Sequence, residues 1–236
     1  VSGPRPRPPG FLTAALIVAR KDLRIEGRTK ETFLATVLFA LVELVVFGFA
    51  FDLDTIRRMG PEKVVPGLLW LTLAFSAIVG FTRSFRLERA REALVAVALA
   101  PIDRGAVFFG KWIANVVLLL TLEAVLLPLV AVFFDVNIVD VALPLVSVVV
   151  LHTVGLAALG TLFGAVVSRL GRGEALLATL LLPAATPLFL SAVHCTATVL
   201  AATPLAADRK WLLLTVGLDV LYVLVAILIF DAILEE

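Results

Sequence analysis

Six apolar runs, each close to the length that crosses a bilayer, leave this chain very few ways to fold. They lie near Thr32–Phe51, Val64–Phe81, Trp112–Phe134, Val141–Val167, Ala175–Val193 and Trp211–Phe230. A helix rises about 1.5 Å per residue, so roughly 20 apolar residues cover a hydrocarbon core about 30 Å thick. A backbone inside that core has no water to pair with, and a helix satisfies its own N–H and C=O groups within the segment. Composition agrees: 61% of the residues are hydrophobic and the mean hydropathy is +1.08, against about 45–50% apolar in soluble domains. The expected fold is an all-α polytopic membrane protein, one transmembrane domain over 11–236 with six transmembrane helices.

Orientation follows from the basic residues, which are retained on the cytoplasmic side. The net charge of +1 says little, but the distribution says more. The N-terminal segment, the Arg83–Lys111 excursion, the Arg169–Glu174 loop and the C-terminus hold seven, six, two and no Lys or Arg. The three loops on the other side, Asp52–Lys63, Asp135–Asp140 and His194–Lys210, hold three, none and two. Fifteen against five places both termini in the cytoplasm.

The first ten residues, Val1–Gly10, carry four prolines and two arginines and offer nothing to bury; they read as a disordered tail. No short apolar core with a small-residue cleavage site follows, so a cleaved signal peptide is not expected. Residues 11–30 interleave Leu12, Leu16 and Ile25 with Arg20, Lys21, Arg24 and Arg28. Too short in its apolar part to span, this stretch reads as an interfacial elbow helix on the membrane, with a ragged start to the first span as the alternative.

Three acids sit deep in apolar runs: Glu43 in the first, Glu123 in the third and Asp219 in the sixth. A carboxylate there costs about 2.5–3.5 kcal/mol on insertion scales and faces the bundle interior. Glu43 and Glu123 are equally well read as functional groups or as protonated packing partners, whereas Asp219 reads as packing. His152 could be a proton or metal group, but a lone membrane histidine more often ties helices together. His194 and Cys195 are neighbours, which on a helix sets them about 100° apart and ill placed to chelate one ion. Gly155, Gly160 and Gly164 make a surface that another helix can approach closely. Pro128 and Pro144 fall within or beside spans, and Pro183 and Pro187 are expected to kink or divide the fifth helix, since proline removes a backbone donor.

Several chemistries lack their residues. Gly110-Lys111 is followed by Trp112 and has no upstream glycine, so no phosphate-binding P-loop is present. The motifs GxSxG and HExxH are absent as well. One cysteine excludes an intrachain disulfide, and two histidines make a zinc site from this chain alone improbable. An energy source, if there is one, belongs to another polypeptide.

The Arg83–Lys111 excursion is the longest charged segment outside the spans, and within it Ala93–Ala100 is an eight-residue apolar run closed by Pro101. Four motifs in order carry a resemblance. They are Val65-Pro66-Gly67-Leu68-Leu69-Trp70; Phe85-x-Leu87-Glu88-Arg89 leading to Leu99-Ala100-Pro101-Ile102-Asp103-Arg104-Gly105-Ala106 and Gly110-Lys111; Gly155-Leu156-Ala157-Ala158-Leu159-Gly160-Thr161-Leu162-Phe163; and Leu181-Leu182-Pro183 with Pro187. They span more than half the chain. The sequence resembles type-2 ABC transporter permeases and, more closely, CcmB, the haem exporter protein B family of cytochrome c maturation. Val95 departs from the pattern, since relatives often carry an acidic residue there.

The resemblance implies a non-catalytic permease of a bacterial inner membrane, paired with a second copy of itself and with two copies of an ATP-binding subunit resembling CcmA. It implies further partners CcmC and CcmD and the haem chaperone CcmE. ATP would be bound by the partner and haem handled by the complex; no haem site on this chain follows, and no nucleic acid is expected. The excursion would then hold a cytoplasmic coupling helix between the second and third spans. Glu88, Arg89, Arg91, Glu92, Asp103 and Arg104 would supply its polar contacts, Leu94, Val97 and Leu99 an apolar plug, and Pro101 its end. A solvated loop with a snorkelling rim is the alternative. A type-2 permease for a lipid, glycan or drug would share the loop but not the pairing of VPGLLW with LAPIDRGA. An intramembrane enzyme would need Glu43, Glu123 and His152 to converge.

Overall fold

The computed structural model describes residues 9–90, 103–170 and 174–235, with side chains over 9–84, 103–168 and 175–229. Among these residues there are eight α-helices and no strand. We label them α1 (Phe11–Thr29), α2 (Glu31–Ala50), α3 (Leu53–Met59), α4 (Pro61–Ala90), α5 (Arg104–Phe134), α6 (Ala142–Leu170), α7 (Glu174–Leu200) and α8 (Arg209–Glu235). Six of them, α2 and α4 to α8, are long and apolar enough to cross a membrane, so the all-α polytopic architecture holds.

The bundle has a centre and a rim. The spanning window of α4 is 67% buried, whereas those of α2 and α8 are each 17% buried. α4 packs against α2, α7, α6 and α5, and α6 packs against α7, α8, α5 and α4. Between their ends, α2 and α8 expose large apolar side chains, among them Leu38, Val42, Phe49, Leu213 and Leu228. In lipid such faces need no protein cover, and helix association depends on close packing and on polar contacts.

Two corners fix the ends of the first span. Lys30 takes a left-handed conformation (φ 52°) and turns the chain from α1 into α2. Across that corner Glu26, almost fully buried, accepts a 2.8 Å hydrogen bond from the Phe33 N–H, one of the donors that a helix start leaves without an internal partner. At the opposite end α3 lies between α2 and α4. Its Ile56 is fully buried, and Gly60, at φ 93°, closes it where a Cβ would meet the Glu62 carboxylate. Arg57 pairs with Asp135, the left-handed cap of α5. That hydrogen bond, with the carboxylate charge behind it, holds the Arg57 guanidinium above its usual pKa.

Several boundaries differ from the sequence reading. The helix of the second span runs on to Ala90, that of the third begins at Arg104, and that of the sixth reaches Glu235. The α3 helix was not foreseen. Nor is the fifth helix divided: α7 is continuous through Pro183 and Pro187 to Leu200. Hydroxyl groups stand beside the carbonyls around the interruption. Thr186 Oγ1 donates to the Leu182 carbonyl and Tyr222 Oη of α8 donates to that of Ala184, both at 2.8 Å. These are neighbouring carbonyls; the two that lose an intrahelical N–H to the prolines are those of Thr179 and Pro183, and α7 stays helical through both.

Candidate functional site

The first candidate lies where α1 meets α5. Four small residues of α1, Ala14, Ala15, Val18 and Ala19, are buried, and Ala14 and Ala15 cluster with Ala106 of α5. Gly110 makes the approach possible: a Cβ there would stand 2.5 Å from the Ala15 carbonyl oxygen and 2.7 Å from Val18 Cβ. Lys111, next in sequence and only 4% exposed, points its Nζ to within 3.6 Å of Asp22 on α1, and Lys21 reaches the same carboxylate at 3.0 Å. The Gly110-Lys111 pair therefore seats α1 on α5, one residue by its absence of side chain and the other by charge. Asp103 caps α5, its carboxylate accepting from the Ala106 N–H at 3.3 Å, where negative charge also suits the helix dipole.

A second set of polar groups lies inside the bundle, nearer the α3 end. His152 Nδ1 lies 2.7 Å from the Val148 carbonyl, which can only accept, so Nδ1 carries the proton and Nε2 is the acceptor. Ser191 of α7 and Thr215 of α8 both approach Nε2, at 3.2 and 3.0 Å, and lie 2.7 Å from each other. The Trp70 ring of α4 sits 5.5 Å from the imidazole and donates its N–H to Thr196 Oγ1 at 2.9 Å. Four helices are thus tied by one polar cluster whose hydroxyls and imidazole are fully buried.

Glu123 stands apart from that cluster. It accepts from Thr153 Oγ1 at 2.6 Å, and its second oxygen has no partner. Glu43 is half-buried with one oxygen equally unpartnered. No hydrogen bond or ion pair joins Glu43, Glu123 and His152 to one another among the described residues. His194 and Cys195 also part company. Cys195 is fully buried, whereas His194 is half-exposed, 3.1 Å from Asp208 and with its ring 5.0 Å from that of Trp211, tilted by 40°. No group of three His, Cys, Asp or Glu side chains fit to hold a metal occurs among the described residues.

The glycine surface of α6 meets its own chain. A Cβ on Gly160 would lie 2.1 Å from the Phe81 ring of α4, and one on Gly155 would lie 2.1 Å from Asp219 Oδ1. Gly164 is buried one turn further along. Beside Gly160, Thr161 accepts from the Asn115 amide at 2.8 Å. Of the excursion residues, Glu88 and Arg89 fall on the final turns of α4, and Asp103 and Arg104 open α5. Arg91, Glu92, Leu94, Val97, Leu99 and Pro101 lie outside the described residues.

Residues missed in the sequence include Asp22, Thr196, Ser191 and Thr215. A lone acid in a basic amphipathic segment was the available signal for Asp22; the hydroxyls gave none. For Glu123 a direct check exists. Glu123→Gln keeps an oxygen for the Thr153 hydroxyl, so the protein level and cytochrome c maturation are both expected to match the parent. A fall in maturation at unchanged level would make the carboxylate itself functional.

Most of the chain is shared with known proteins. The model of one family, CcmB protein, matches residues 13–235. No curated protein matches significantly. The matched span contains all six candidate spanning helices and α1 from its third residue onward. The chain belongs to the CcmB family, the haem exporter protein B family, and is a multi-pass membrane protein of cytochrome c biogenesis.

Proposed function

We propose that the chain is the permease subunit through which a separate ATPase drives haem export or release of the haem-loaded chaperone in cytochrome c maturation. The observation that carries this is the length of the two helices flanking the excursion. With 30 and 31 residues, α4 and α5 are each about 45 Å long, against a hydrocarbon core of about 30 Å. They leave only residues 91–103 between them. Two unbroken rods therefore connect that short segment to the buried centre of the bundle, where α4 holds Trp70 and α5 holds Glu123. A nucleotide-driven movement at the segment would be transmitted by rigid elements rather than absorbed by a loop.

In this reading the α1 end of the bundle faces the cytoplasm of a bacterial inner membrane; the fifteen-to-five distribution of basic residues supports that orientation. The α1 helix lies along the inner leaflet with Leu12, Leu16 and Ile17 outward. Glu88, Arg89, Arg91, Glu92, Asp103 and Arg104 meet a CcmA-like subunit through charge, and Leu94, Val97 and Leu99 enter it. Two such ATPases, a second copy of this chain, and CcmC, CcmD and CcmE complete the assembly. ATP turnover belongs to the partner, and this chain supplies no catalytic group.

The test is a photoreactive residue placed at Leu94 in cells that mature cytochrome c. Irradiation is expected to link this chain to the ATP-binding subunit. Adducts with lipid alone would contradict the assignment.

A further inference from the structure

Both carboxylates of α1 are engaged on its inner side: Asp22 takes Lys111 and Lys21, and Glu26 takes the Phe33 N–H. Its arginines are not. Arg20, Arg24 and Arg28 are exposed and have no hydrogen-bond or ion-pair partner among the described residues. They stand at i, i+4 and i+8, so one helical row carries three positive charges, each about 6 Å along the axis from the next. Like charges so spaced weaken a helix. An anion lying between them removes that cost.

The same row begins apolar. Leu12 and Leu16, 68% and 60% exposed, precede Arg20 at the same four-residue spacing. Beside the row runs a groove lined by Ile17, Arg20, Lys21, Arg24, Ile25 and Arg28. It holds about 420 Å3, within the roughly 300–1,000 Å3 of ligand sites, and no carboxylate of a described residue lines it. The row thus offers apolar contact for acyl chains next to basic contact for phosphate, a combination that fits a lipid better than an acidic protein surface. Gly110 and Lys111 seat α1 on α5, so these side chains project from a helix fixed to the bundle.

From this arrangement we infer that α1 binds a phospholipid with two phosphates on one headgroup, as in cardiolipin. One phosphate lies between Arg20 and Arg24, the other between Arg24 and Arg28, and acyl chains run against Leu12, Leu16 and Ile17. Each guanidinium presents a planar fork of donors that matches phosphate oxygens in pairs. The glycerol bridge of cardiolipin holds its phosphates about one helical turn apart, as the row repeats. Phosphatidylglycerol, with one phosphate, leaves an arginine unmatched. The row therefore selects by the number of phosphates as well as by sign. The inference rests on the interfacial, cytoplasmic placing of α1 proposed above.

The test is native mass spectrometry of the full chain, reconstituted in phosphatidylethanolamine vesicles with equal phosphatidylglycerol and cardiolipin and then extracted in mild detergent. One cardiolipin per chain is expected to remain, in excess over phosphatidylglycerol. Arg24→Gln should cut its retention about tenfold, as loss of one charged hydrogen bond does. Arg20→Gln, Arg24→Gln and Arg28→Gln together should abolish it; all three side chains are exposed and unpartnered among the described residues, so the variants are expected to fold. Lys63→Gln, exposed at the opposite end of the bundle, should leave retention unchanged. Copurification of the ATP-binding subunit with the parent chain tests the coupling role separately. Equal retention of the two anionic lipids, no cardiolipin on the folded parent, or its loss from Lys63→Gln would each overturn the proposal. So would a triple variant that keeps its cardiolipin; if that variant instead lost the ATP-binding subunit, the row would be a protein dock.

Discussion

Replacing Gly160 by leucine is expected to remove most of the protein from the membrane. The first atom of the new side chain would lie 2.1 Å from two carbons of the Phe81 ring, closer than any real contact between such atoms. Phe81 is itself 2% exposed and belongs to the main core cluster, and the gap that it lines holds only about 30 Å3, less than a leucine side chain needs. Overpacking of this kind costs about 1–3 kcal/mol where the surroundings can yield and more where they cannot, out of a total stability of about 5–15 kcal/mol. The measurement is the membrane level and thermal melting of the purified chain. Gly160→Leu with Phe81→Ala should recover part of the loss, because the added volume then has somewhere to go. Gly217→Leu is the control: nothing lies within 4 Å of its Cβ position, and it should be silent.

The same position shows what a sequence can and cannot say about a small-residue motif. Gly155, Gly160 and Gly164 announced a close approach of another helix, and one occurs. Which helix approaches is not written locally. Phe81, at the α1 end of α4, and Asp219 of α8 fill the spaces opposite Gly160 and Gly155, and both are distant in sequence.

The motifs that carried the family resemblance behave likewise. Val65, Leu68, Leu69 and Trp70 are buried, and Trp70 bonds to Thr196, 126 positions away. Gly110 and Lys111 serve the seating of α1. In the described residues these positions specify packing.

The six spans were legible because hydropathy over some 20 residues is a local property, set by the bilayer rather than by partners. Their ends were not. Where α4 and α5 stop depends on what meets them beyond the membrane, and charged residues such as Arg83 and Arg104 continue a helix there as readily as they end one. Proline misled for a related reason. Its penalty is local, one lost donor and one crowded carbonyl per proline, whereas the packing of the continuous α7 against α4 and α6 is set by residues distant in sequence. His152 is the converse case. That it ties helices together was foreseeable; that the tie runs through Ser191 and Thr215 was not.

The central claim is that the excursion is the dock of an ATPase, and the second large effect follows from it. Glu92→Ala with Leu94→Asp removes one charge from the segment and buries another where an apolar side chain should enter the partner. Central interface residues of this kind cost about 2 kcal/mol or more when lost, roughly thirtyfold in affinity, and a carboxylate left unpaired in the interface adds a desolvation cost. Neither position falls in one of the six apolar runs of the sequence, so insertion and membrane level should be unaffected. The decisive measurement is copurification of the ATP-binding subunit with this double variant at matched membrane level. The account predicts that the ATPase is lost from the complex and that cytochrome c maturation stops with it. Undiminished copurification would contradict it and return attention to the membrane carboxylates Glu43 and Glu123.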